Sequence, residues 1–101
     1  MSTQDEFDEF CEHKLQELKQ VRFEDLPKFD NNLFTFSKGS RKGTLSIAIE
    51  EVREDEILVI LQGEIPVRFF SFLSHPFVDG FRKTKKEEVT PASYSDISYY
   101  D

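Results

Sequence analysis

The chain has 101 residues, 13 Lys+Arg against 20 Asp+Glu, a formal net charge of −7, and eleven Phe with no Trp. At this length it reads as a single domain over residues 1–101. It is too rich in apolar residues to be disordered throughout and too short for a two-domain dinucleotide enzyme or a TIM barrel. One cysteine excludes an internal disulfide and a cysteine-based zinc cage. The first 25 residues hold eight acids and three bases, a field that disfavours broad contact with a phosphate backbone and favours a basic partner.

The N-terminal segment carries Phe7, Phe10, Cys11, Leu15, Leu18 and Val21 at three- and four-residue steps, the apolar stripe of an amphipathic helix. The helix is expected over about residues 4–22, with Thr3 as N-cap and Glu6 closing a capping box. This start has neither the basic residues nor the apolar run of a secretory signal. The longest apolar run, Ile57–Leu61, is far short of the roughly 20 residues of a membrane span. A cytoplasmic protein without membrane contact is the expectation, and a single free cysteine agrees with a reducing compartment.

Phe23–Asn32 reads as an irregular connection, because the residue before Pro27 disfavours helix and Asp30-Asn31-Asn32 signals a turn. Leu33–Ser37 follows as a short strand, Gly39–Gly43 as a five-residue hairpin loop, and Thr44–Val52 as a half-buried strand with alternating Leu45, Ile47 and Ile49. Arg53–Glu56 is a charged turn. Ile57–Leu61 is apolar at every position, as in a central strand covered on both faces, with Gly63 as a bulge or the strand end. Val67–Leu73 fits either a strand or a short helix. His75-Pro76 is expected to interrupt the chain, Asp79-Gly80 to form a two-residue hairpin turn, and Lys85–Glu88 a second turn. Thr90-Pro91 suits the start of a short terminal helix with Tyr94, Ile97 and Tyr100 on one face. The fold class expected is α+β: an N-terminal helix packed on an antiparallel β-meander of about four to six strands, with that short C-terminal helix.

No catalytic or metal-binding constellation is legible, and no cofactor is implied. A Glu9/His13 pair supplies at most one edge of a metal site, and His13 reads as a solvated surface residue. His75 reads as a turn residue. Cys11 on the apolar stripe is expected to be buried and inert. There is no nucleophile-elbow motif. The carboxylate pairs Glu50-Glu51, Asp55-Glu56 and Glu87-Glu88 fall at strand ends and turns, where charge is solvated.

Three binding readings remain. The favoured one is a non-enzymatic protein-interaction module, an inhibitor or immunity-type factor for a basic partner. Asp5, Asp8, Glu9 and Glu12 would steer association, and Tyr94, Tyr99 and Tyr100 would anchor it. Size, acidity and the helix-plus-meander pattern are similar to those of small bacterial inhibitor and immunity proteins as a class, with no specific motif behind the likeness. The second reading is a small phosphate-ligand-binding domain using Arg41 and Lys42 in the Gly39–Gly43 loop. The third is a structural homodimer sealed by a sheet edge or by the cluster Phe69, Phe70, Phe72, Phe77 and Phe81. The basic run Arg82–Lys86 with neighbouring aromatics admits contact with single-stranded nucleic acid, a reading the adjacent Glu87-Glu88 and the overall charge disfavour.

Overall fold

The computed structural model describes the backbone of residues 2–67, 70–93 and 96–97, and the side chains of these residues other than 70–72. Helix α1 (Thr3–Lys19) is followed by a 3₁₀ segment (Phe23–Phe29). Strands β1 (Leu33–Lys38), β2 (Arg41–Arg53), β3 (Glu56–Val67), β4 (Phe70–Thr84) and β5 (Val89–Pro91) come next. The strands form one antiparallel sheet in the order β1-β2-β3-β4-β5. The architecture is thus α+β, a helix packed on a five-stranded meander, as the sequence pattern implies. No helix among the described residues is long and apolar enough to cross a membrane.

Helix α1 buries Phe7, Cys11, Leu15 and Leu18, the stripe read from the sequence. Its N-cap is Ser2 rather than Thr3: the Ser2 hydroxyl accepts the Asp5 N–H at 3.1 Å. Glu6, expected to close a capping box, instead pairs with Lys38 of β1. The helix ends at Lys19, where a cation from the sheet caps the chain. Lys83 Nζ donates to the carbonyls of Lys19 and Val21 at 2.8 and 2.6 Å, acceptors that a last turn leaves open. Glu87 lies 3.3 Å from the same Nζ and accepts the Phe23 N–H at 3.0 Å. The chain is thereby turned into the 3₁₀ segment, where an irregular connection was expected, and Pro27 sits inside it.

The helix-facing side of the sheet carries Leu45 and Ile47 of β2, Ile57, Val59, Leu61 and Ile65 of β3, and Phe81 of β4, which close one core with the α1 stripe and Leu26. Ile57–Leu61 is buried at all five positions, as expected of a central strand. Gly63 is neither bulge nor strand end. It lies inside β3, where a side chain would stand 3.0 Å from the Phe7 ring. On the second face, Arg82 holds the returning chain: it donates to Asp96 at 2.9 and 2.7 Å and to Glu56 at 2.6 Å.

Several expected turns are strand. The β1–β2 loop is two residues long, not five: Lys38 pairs with Arg41, and Gly39 at φ +61 supplies the left-handed first position that such a hairpin requires. Arg41, Lys42 and Gly43 belong to β2. His75-Pro76 does not interrupt β4, and Asp79-Gly80 is not a turn. These residues pair in register with β3, Pro76 opposite Glu64 and Gly80 opposite Ile60. Gly80 serves close approach, since a Cβ there would collide with the Val59 carbonyl and lie 2.7 Å from Ile60 Cδ1. The ambiguous stretch is the end of β3 and the start of β4, with Val67 paired to Phe70. Thr90-Pro91 forms β5, and Ser93 caps the terminal turn, its Oγ accepting the Asp96 N–H at 3.2 Å.

Candidate functional site

The periodicity of α1 puts Asp5, Asp8, Glu9 and Glu12 within an arc of about 100°, on the flank of the helix above β4. His75 fixes that placement, its Nε2 lying 3.0 and 3.1 Å from the two carboxylate oxygens of Asp8. The opposite flank lies above β1 and holds Lys14, one of the helix's two lysines: it sits 4.8 Å from the Phe34 ring centroid and 5.9 Å from that of Phe10, and 3.5 Å from Glu17, while Lys19 lies in the last turn. Lys14 is therefore turned away from the acids. Among the described residues Glu12 accepts only from Gln16, at 3.4 Å. Among the described residues the carboxylates of Asp5 and Glu9 meet no cation, and both residues are exposed.

Between this flank and β4 lies a depression of about 500 Å³ bounded by Asp8, Glu9, Glu12, His75, Pro76, Phe77 and Val78. Phe77 forms its floor beside His75; Pro76 and Val78 line its outer edge, and its helix wall is anionic. Sequence reasoning found the wall and named Phe77 only as part of a dimer seam; it missed the place of Phe77 beside the acids and the Asp8–His75 link, which spans 67 positions and leaves no local signal. Reading β4 as one strand, with 75 and 77 on the same face, is what would have revealed it.

The other predicted site residues are not brought together. Arg41 and Lys42 are consecutive strand residues and so face opposite sides of the sheet. Arg41 donates to the Pro66 carbonyl, and Lys42 is exposed. The loop on which the phosphate reading was built contains only Gly39 and Ser40. Tyr94, Tyr99 and Tyr100 lie outside the described residues. Within the basic run, Arg82 is held by Asp96 and Glu56, and Lys83 is 4% exposed, so among the described residues only Lys85 and Lys86 present surface charge without an ion-pair partner.

Cys11 is fully buried beside Phe7 and Leu15. Burial, reinforced by Asp8 and Glu12, pushes its thiol up to about 12. His13 pairs with Glu17 at 3.1 Å rather than with Glu9, and its side chain is 74% exposed. Among the described residues, no three His, Cys, Asp or Glu are placed to hold a metal ion. Comparison with protein-family models, with curated proteins and with solved structures gives no match to this chain.

Proposed function

We propose that the chain is a non-enzymatic protein-interaction module, an inhibitor or immunity-type factor that receives a basic partner on the β4 flank of α1. One observation carries the reading: the acids of that flank stand beside an apolar floor, while Lys14 is drawn to the other side and Lys19 lies in the last turn, about two turns beyond Glu12. Exposed carboxylates speed the encounter with a basic surface, and the apolar floor supplies area to bury once the partner arrives. A reducing, cytoplasmic setting suits the buried thiol of Cys11.

The test is capture from a nuclease-treated lysate with the wild-type chain and with Glu9→Lys/Glu12→Lys. A basic protein retained by the wild type and lost from the variant supports the reading. The same proteins retained equally by both would overturn it. In purified form the association rate should fall with added salt for the wild type and much less for the variant.

A further inference from the structure

The edge of β4 beside the depression specifies the form of the partner, an inference that rests on the docking reading above. Strand β5 pairs only with Phe81–Lys83, whereas β4 reaches back to Phe70. Among the described residues no strand lies alongside β4 from Phe70 to Asp79 on that edge. The Gly80 carbonyl accepts the Ala92 N–H at 3.2 Å, so residue 80 directs its backbone groups toward the β5 side. Backbone direction alternates along a strand; Val78, Pro76 and Ser74 therefore direct theirs to the same side. The Gly80 N–H is taken by the Asp79 carboxylate at 2.7 Å, and Pro76 has no N–H to leave open. The edge thus offers the N–H and carbonyl of Val78, the carbonyl of Pro76, and the N–H and carbonyl of Ser74.

We infer that this edge accepts an extended basic segment of the partner as a sixth strand. Helix α1 runs along β4 in the same sense, with Asp8 against His75 at one end and the carbonyls of Lys19 and Val21 against Lys83 at the other. Glu9 and Glu12 therefore stand beside the space an added strand would fill. Alternate residues of that strand are about 6.8 Å apart, near the 5.4 Å rise of one helical turn. Lys or Arg at alternate positions would meet successive turns of the acidic flank. The intervening side chains would lie on the face of Val78. Backbone pairing gives such complexes affinity, and the alternate side chains give them selectivity. A second copy of this chain is a poor occupant, because each copy brings a net charge of −7 to the same edge.

The experiment uses the full chain and a fluorescent peptide of five Lys-Val repeats. Two further peptides carry N-methyl groups on all the Lys amides or on all the Val amides, which removes backbone donors without changing charge. The unmodified peptide should bind, and one of the two methylated peptides should bind about tenfold more weakly while the other is unchanged. Val78→Pro, which removes the outward N–H, should weaken the unmodified peptide similarly. Its circular dichroism shows whether the fold persists, and the peptide series stands without it.

Equal binding of all three peptides would overturn the sixth strand. If Glu9→Lys/Glu12→Lys then still abolishes binding, the acidic docking reading survives alone. If it does not, both fall. No binding at millimolar peptide would overturn the inference, as would a concentration-dependent dimer that Val78→Pro removes.

Discussion

Lys83 and Cys11 are buried in different surroundings, one among hydrogen-bond acceptors and one among apolar side chains. Two carbonyls and Glu87 surround the Lys83 Nζ. Lys83→Met leaves the helix-end carbonyls without that donor and should cost about 1–3 kcal/mol, read as a lower urea midpoint. Lys85→Met, two residues on at an exposed site, should stay within about 0.5 kcal/mol of wild type. Equal effects of the two would remove the capping role. Cys11 has no such partners among the described residues, and burial pushes its thiol up to about 12. The neutral form is therefore the one the fold accommodates, and this contribution is complete below the free-thiol value of about 8.5 and declines as pH rises beyond it. At pH 8 a disulfide reagent should label the folded protein only as fast as it opens, and label it at once in denaturant. Rapid stoichiometric labelling of the native protein would contradict the burial.

At the scale of elements, the chain after β5 is tied to the second face of the sheet through Arg82. The guanidinium, together with the Ser93 amide, holds the Asp96 carboxyl well below the usual carboxylate range. A depressed carboxyl stabilises the fold fully above its unfolded value of about 3.9, and the stabilisation is lost as pH falls from there toward the folded value. The wild-type melting temperature should accordingly drop between about pH 4 and pH 2. Asp96→Asn should start lower at pH 7 and fall less steeply; parallel curves would show that the contact does not tie the turn down. The same elements show what can be read from a sequence. The α1 stripe, the alternation in β2 and the apolar run in β3 each repeat a single period, so they were legible. Strand β4 was not, because Pro76 and Gly80 are turn residues by composition. Pro76 is tolerated because its missing N–H faces an open edge, and Gly80 is required by the approach of Val59. Both reasons depend on neighbours distant in sequence. For the candidate site, the acids of α1 were therefore visible, while Phe77 and His75 were hidden in a strand that looked like two turns.

For the whole molecule, part of the charge serves the fold, as at Lys83 and Arg82, whereas Glu9 and Glu12 of α1 meet no cation among the described residues. Asp8 and Glu9 stand one turn before Glu12, and like charges at these spacings weaken a helix. An elongated body of 46 × 23 × 22 Å with net charge −7 also repels itself. Glu12→Lys converts two repulsive pairs on α1 into attractive ones, in the favoured order with the acid N-terminal to the base. It should raise stability by about 0.5–1 kcal/mol at low salt, with the gain shrinking as salt screens the charges. The same change should weaken capture of a basic partner. A more stable chain that binds less well is the signature of residues retained for binding rather than folding. If Glu12→Lys instead lowers the urea midpoint, the acidic flank contributes to the fold itself, and the docking assignment loses its electrostatic basis.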